Sequence, residues 1–187
     1  GLTEGGNNTA IGDSALLAGV SNFQNVAIGN QALANTTSDS NVGVGEQSAI
    51  SNTSGTFNVA VGRSSFYYNQ TGSDNTAIGY QSLFGVSGNS HSDNTAVGYK
   101  SMYGVTTGTL NVSVGHSSLL DITTGHRNTM LGYQSGENST DAAYNTAVGY
   151  QAMRGSSASG LTGDGVNVAI GYSAMQAVTT ASNCVAI

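Results

Sequence analysis

The chain has 187 residues, of which 38% are hydrophobic and only 7% are charged, with 27 glycines and no proline or tryptophan. Its 10 acidic residues outnumber its 4 basic ones, so the net charge is −6. This balance argues against nucleic-acid binding, which needs a basic surface to displace phosphate counterions. No apolar run approaches the roughly 20 residues that span a bilayer, which argues against membrane insertion. The lone Cys184 excludes an intrachain disulfide.

A nine-residue motif, typified by residues 75–83 (NTAIGYQSL), recurs along the chain. Copies start at Asn8, Asn25, Asn41, Asn58, Asn75, Asn94, Asn111, Asn128, Asn145 and Asn167, and a cut-off copy starts at Cys184. The starts are 17 residues apart, apart from single intervals of 16, 19 and 22. So short a period, held along the chain, predicts a solenoid of about ten stacked coils.

We therefore expect one repeat-built domain over residues 1–187. Residues 1–7 would be the tail of a preceding repeat and residues 184–187 the start of a truncated one, within a longer parent chain. Residues 1–8 also match residues 160–167 without a gap, at an offset of 159 residues. If it is not chance, this likeness indicates a longer order in the parent chain.

The first residues of each copy predict a β-strand. The second position is Val or Thr and the fourth is a branched aliphatic residue, while the residue between them is small except at Met130. Alternate strand residues share a face, so branched residues line one side and small residues the other. The small side is expected to face a narrow interior. The predicted fold class is all-β, a parallel β-roll or β-solenoid.

The fifth position is glycine in every complete copy, which predicts a tight bend that needs positive φ or close backbone approach. We expect a second short strand after the bend, as over residues 81–84, and then Thr-, Ser- and Gly-rich turns. The two long repeats should carry their extra residues in loops at 85–93 and 154–166, because solenoid insertions fall at turns. The Asn that starts each copy should cap a turn and stack into a ladder.

The branched residues would form an apolar stripe along the rod, which favours association with other copies of the chain. A closed cyclic homo-oligomer would cover the stripe, although this argument does not choose three copies over two. We call the stripe the seam. Its predicted residues are Val26, Ile28, Val42, Val44, Val59, Val61, Ile78, Val97, Val112, Val114, Leu131, Val148, Val168 and Ile170.

The motif Asn-Thr/Val-Ala-Ile/Val-Gly-Tyr-Gln-Ala/Ser-Leu resembles the repeats of trimeric fibre proteins, both phage tail fibres and bacterial surface fibres. It is also similar to the head repeats of trimeric autotransporter adhesins, whose Ser-Val-Ala-Ile-Gly core builds a left-handed parallel β-roll. The likeness covers residues 8–187. It implies a homotrimer, left-handed coiling, an extracellular location and an adhesive or shaft role. The repeat here is longer than in the autotransporter heads, and no membrane anchor is visible.

The sixth position changes from polar to aromatic along the chain. Its later members, which we call the aromatic strip, are Tyr80, Tyr99, His116, Tyr133, Tyr150 and Tyr172. On successive coils these rings should stack and stiffen the rod, the interpretation that we favour. The alternative is a surface that binds a sugar or a receptor. A second binding candidate is the cluster of Phe66, Tyr67, Tyr68, Phe84 and Tyr103.

Catalytic and metal-binding patterns are not recognisable. Asp13 and Glu46 share a phase but lie two coils apart, about 9.6 Å, which is loose for a glycosidase pair. The histidines His91, His116 and His126 fall in different phases, unlike metal ligands that recur on one face. Asp39, Asp74 and Asp93 precede repeat starts where calcium could bind, but the Gly-rich calcium repeat is absent. Matches to the N-glycosylation pattern, such as those at Asn35, Asn52, Asn69 and Asn138, are expected by chance in this composition.

The sequence favours a structural fibre segment without cofactor, metal or enzymatic activity, with copies of itself as partners. The first alternative is an adhesin head that binds a cell-surface glycan or receptor through the aromatic strip. An ice-binding solenoid ranks below these, because it needs a flat Thr array on every coil and the Thr pairs of this chain are irregular. A polysaccharide-cleaving tailspike is disfavoured by the scattered acids.

Overall fold

The computed structural model describes residues 5–19, 21–155, 165–178 and 180–187, which form a β-solenoid. Eleven short strands lie in one parallel sheet in chain order, each paired in register with its neighbours. The strands are β1 Thr9–Ile11, β2 Val26–Ile28, β3 Val42–Val44, β4 Val59–Val61, β5 Thr76–Ile78, β6 Thr95–Val97, β7 Val112–Val114, β8 Thr129–Leu131, β9 Thr146–Val148, β10 Val168–Ile170 and β11 Val185–Ala186. The predicted all-β parallel solenoid of about ten coils is confirmed. None of the described segments is a helix able to cross a bilayer.

The interior is narrow, as the small residues of the strands predict. From β2 to β10 the middle residue of every strand is inaccessible to solvent, and it faces the eighth and ninth positions across the coil. Met130 is the one large middle residue, and its coil has Gly136 at the ninth position. A Cβ added to Gly136 would lie 3.1 Å from the Met130 sulfur. The space between the strand and the ninth position therefore holds about one large side chain per coil, on one wall or the other.

The predicted second strand is wrong. Residues 81–83 form turns and residue 84 lies outside any strand, with Gln81 and Leu83 in the left-handed region at φ of 53° and 47°. The same alternation recurs at the seventh and ninth positions of the other coils. Backbone hydrogen bonds still join neighbouring coils here: Gln81 N–H donates to the Arg63 carbonyl at 3.1 Å, and Leu83 N–H donates to the Ser101 carbonyl at 2.9 Å. On this side of the coil, the backbone is not extended, but its hydrogen bonds join neighbouring coils as they do in a parallel sheet.

Side-chain chemistry explains where the left-handed residues fall. Branching at Cβ makes positive φ costly, and no Val, Ile or Thr occupies any of the left-handed positions described. The β-branched residues are concentrated instead in the strands and in the Thr-rich turns. The strands therefore carry mainly β-branched residues, whereas the left-handed positions carry only residues that are unbranched at Cβ.

The fifth-position glycines combine positive φ with close backbone approach, as predicted. Their φ values lie between 123° and 144°. A Cβ added to Gly79 would sit 2.5 Å from the Gly98 carbonyl oxygen in the next coil. From Gly12 to Gly149, each coil therefore turns at a point where the next coil leaves no room for a side chain.

The Asn ladder is present inside the rod. Asn111 Oδ1 accepts the Asn128 N–H at 3.0 Å, while Asn111 Nδ2 donates to Asn94 Oδ1 at 3.1 Å and to the Gly125 carbonyl at 2.9 Å. Equivalent bonds run from Asn8 to Cys184. Because Asn25 to Asn167 are buried, the ladder supplies the partners that buried amides require.

Two predictions remain, the loops at the two insertions and the 159-residue likeness. Residues 85–93 form a loop without strand between β5 and β6, with residues 86–88 exposed. Residues 156–164 of the second insertion lie outside the described residues. So do residues 1–4 and 160–164, which carry most of the 159-residue likeness.

We expect Gly79→Ala to destabilise the fold by about 3 kcal/mol, because it adds both a clash and a disfavoured φ. Urea denaturation followed by circular dichroism measures the loss. The matched control is Gly88→Ala in the exposed loop, where φ is 85° and nothing lies within 4 Å of an added Cβ. A loss at Gly79 no larger than at Gly88 would contradict the close-approach explanation.

Candidate interaction surfaces

The predicted seam residues lie on the outer face of the sheet. The second and fourth strand positions point away from the interior and are half-buried or exposed. Exposed fractions reach 39% at Ile78, 40% at Val112 and 46% at Leu131. Neither position is charged in any of the eleven strands. The chain thus presents two adjacent uncharged rows, spaced about 4.8 Å from coil to coil.

The aromatic strip is continuous over six coils. Successive ring centroids are 5.4, 4.6, 5.2, 5.1 and 5.0 Å apart from Tyr80 to Tyr172, and the interplanar angles lie between 3° and 26°. This offset stacking is a favourable arrangement of aromatic rings. The structure thus brings all six predicted residues together.

Stacking determines what the strip can offer to a ligand. Each inner ring is covered on both faces by its neighbours, so the strip presents ring edges and phenol hydroxyls to the solvent. Tyr99, Tyr133 and Tyr150 are each about two-fifths exposed in this way. A ligand would meet a row of hydrogen-bonding groups rather than a row of open aromatic faces.

The second aromatic cluster forms a shorter parallel stack. Tyr67, Phe84 and Tyr103 stack at centroid separations of 5.0 and 4.8 Å. The Lys100 ammonium lies between the two stacks, 5.5 Å from the Tyr99 ring and 5.1 Å from the Tyr103 ring, in cation–π geometry. Phe66, included in this cluster from sequence, is wholly buried in the core and is not part of a surface.

Charged side chains pair along the rod. Arg63 Nε lies 3.1 Å from Glu46 Oε2, and Arg154 Nε lies 2.6 Å from Glu137 Oε2. Burial, and secondarily the Glu137 carboxylate, raises the pKa of Asp121. Within the described residues no three His, Cys, Asp or Glu side chains are close enough to hold a metal ion.

A shallow depression lies near the C-terminal coils, lined by Met153, Asn167, Met175, Val178 and Ala181, and it encloses no space large enough for a water molecule. Small-molecule sites usually enclose about 300 Å³ or more. This depression is therefore too small for a substrate site.

Two of the glycosylation matches named above are inside the fold. Asn52 and Asn69 are inaccessible to solvent, and their Oδ1 atoms accept the Gly55 and Gly72 N–H groups at 3.1 and 2.7 Å. Asn35 is exposed. The buried pair therefore has a structural role at turns.

His91, which the sequence analysis considered only as a metal ligand, is a buried titratable group. It is 2% exposed, both ring nitrogens lack a hydrogen-bond partner, and its ring packs edge-on against Phe66 at 5.6 Å. Burial lowers the pKa of His91 to about 3. Only its place in the 85–93 insertion could have marked it.

We expect acid to weaken the fold through His91. Its folded pKa of about 3 lies below the ordinary histidine pKa of 6.5, so the unfolded chain takes up a proton at pH values where the folded chain does not. Stability should fall by about 2 kcal/mol from pH 7 to pH 5 through this group. Urea midpoints across that range measure it. His91→Phe should remove this dependence and the surface control His126→Phe should retain it; equal slopes in all three proteins would contradict the assignment.

Comparisons of this chain with protein-family models, with curated proteins and with solved structures found no match. The fold and the surfaces described above are therefore the basis of the functional argument.

Proposed function

We propose that this chain is a shaft or stalk segment of an extracellular trimeric fibre, a phage tail fibre or a cell-surface appendage, where it supports attachment. The observation that carries the proposal is the outer face of the sheet, which is uncharged in every coil and partly exposed in the single chain. A continuous apolar stripe of this kind marks an interaction surface. Other copies of the same rod match its length and its coil spacing.

A closed cyclic assembly leaves no part of the seam open to further chains. The number three comes from the resemblance of the repeat to trimeric fibre proteins. Three rods with their seams turned toward a common axis would bury the branched aliphatic rows and leave the turn walls outside. The extracellular location rests on the same resemblance.

The construction of the rod suits a mechanical role. Backbone hydrogen bonds, the Asn ladder and the aromatic strip all run from coil to coil, along the direction in which a shaft carries load. The apolar core by itself is thin, because most interior positions are Ala, Ser or Asn. A rod held mainly by repeated polar bonds resists bending at every coil.

Replacing Ile78 and Val97 together by Lys should abolish assembly while leaving the coil folded, since both side chains point outward. Size-exclusion chromatography with light scattering measures the assembly, and circular dichroism the fold. The control is Val86→Lys in the exposed loop, which should leave the assembly unchanged. An assembly of unchanged mass in the Ile78 and Val97 variant would contradict the proposal.

A second candidate is an adhesin head that uses the aromatic strip, favoured by the row of exposed ring edges and hydroxyls. Phe substitution removes the hydroxyl and keeps the stack, so Tyr99→Phe, Tyr133→Phe and Tyr150→Phe together separate binding from stability. If the strip binds glycans, attachment to glycan-coated surfaces should fall at least tenfold, and the melting temperature should hold within a few degrees. Unchanged attachment would remove this candidate.

A further inference from the structure

The outer face is wider than the two rows of the seam. The residue before each starting Asn is exposed in nearly every coil and, from Gln24 to Tyr144, has a left-handed backbone. It precedes the first seam position by two residues, and the sixth position follows the last seam position by two residues. The seam is therefore bordered in each coil by the row of residues before the starting Asn, which we call the flanking row, on one side and by the sixth-position row on the other.

The charges of this face are confined to its two borders. The members of the flanking row that precede Asn58 to Asn145 are Phe57, Asp74, Asp93, Leu110, Arg127 and Tyr144. The sixth-position row is aromatic from Tyr80 onward and carries an ion pair, Arg63 with Glu46, just before it. The Asp74 and Asp93 carboxylates are exposed on neighbouring coils. These two carboxylates carry the same charge on adjacent coils, and ionised carboxylates only accept hydrogen bonds. A partner that donates hydrogen bonds to both is therefore favoured.

Packing geometry determines which borders meet. When copies pack in parallel around an axis along the rod, rotation carries the flanking row of one copy onto the sixth-position row of the next. This holds for two copies and for three. At equal height the facing residues are Asp74 with Tyr80, Asp93 with Tyr99, and Arg127 with Tyr133.

These pairings are chemically complementary. Phenol hydroxyls donate hydrogen bonds to carboxylates and accept them from a guanidinium. The chain already shows the second contact internally, since the Arg127 guanidinium lies 5.4 Å from the centre of the Tyr144 ring and donates to its hydroxyl at 3.1 Å. No like charges face each other between copies in this arrangement.

We propose that the ligand of the aromatic strip is the flanking row of a second copy of this chain, and that these border contacts fix the copies parallel and in register. The proposal rests on the proposed assembly and deepens it, because it assigns the strip to the interface. The strip then serves the assembly rather than a glycan. Asp93 and Tyr99 form the central pair.

Interchain disulfide formation tests the contact. In a Cys184→Ser background, Asp93→Cys with Tyr99→Cys should link copies on oxidation, and a trimer should run as a covalent trimer on a non-reducing gel. The two sites cannot link within one chain, because the residues of β6 between them span about 10 Å and a disulfide needs Cα atoms within roughly 7 Å. Two further pairs, Asp74→Cys with Tyr99→Cys and Asp93→Cys with Tyr80→Cys, should link instead if neighbouring copies are displaced by one coil in one direction or the other.

The outcomes separate this proposal from the one on which it rests. Each single cysteine variant should remain unlinked in a parallel assembly, and linking of Asp93→Cys alone would show that flanking rows meet each other, overturning the proposal. A wild-type trimer in which none of the three pairs links would also overturn it while leaving the fibre assembly intact. A monomeric wild-type protein would remove both. Arg127→Cys with Tyr133→Cys repeats the test two coils away, and thermal melts establish that each variant is folded.

Discussion

The width of the coil interior is the constraint on which the rest of the structure depends. A Cβ added to Gly43 would lie 2.8 Å from Leu33 Cγ, and the one large middle residue, Met130, stands opposite Gly136. Because each coil has room for about one large side chain between its strand and its ninth position, the branched aliphatic residues of the strand cannot all point inward. The second and fourth strand positions must therefore face outward, and the chain acquires an apolar surface as the direct consequence of its narrow core.

The same constraint changes how the fold is held together. Small interior side chains bury little apolar area, so apolar burial contributes less than in an ordinary domain of this length. Hydrogen bonds between coils carry more of the load, both along the backbone and through the buried Asn ladder. These bonds require strict register, and the fifth-position glycines enforce it by bringing consecutive backbones into contact. The result is a rod whose length is set by the number of repeats.

Much of this could be predicted from the sequence, because periodicity reports the position of each residue in the coil directly. The inward small residues, the glycine bend, the Asn ladder and the stacked strip from Tyr80 to Tyr172 all follow from one repeat. The prediction of a second strand was wrong because it took the alternation of small and large residues as a sign of extended backbone. The absence of β-branched residues at positions such as Gln81 and Leu83 was the available signal of left-handed φ.

Some features of the candidate surfaces could not be predicted from the repeat pattern. Phe66 belongs to the core because the ninth position faces inward, and the covered faces of the strip follow from ring orientation, which sequence does not specify. The packing of copies against one another concerns surfaces of separate chains, where the repeat gives the rows and the chemistry but not the contacts. The flanking row was overlooked because its members, from Phe57 to Tyr144, share an exposed position and no residue type.

Sedimentation equilibrium of the chain tests the central claim most directly, because a face that other copies cover must bring copies together. The account predicts a particle of three times the chain mass of 18.8 kDa, stable on dilution to micromolar concentration. A folded monomer with its aliphatic rows open to water at that concentration would contradict it.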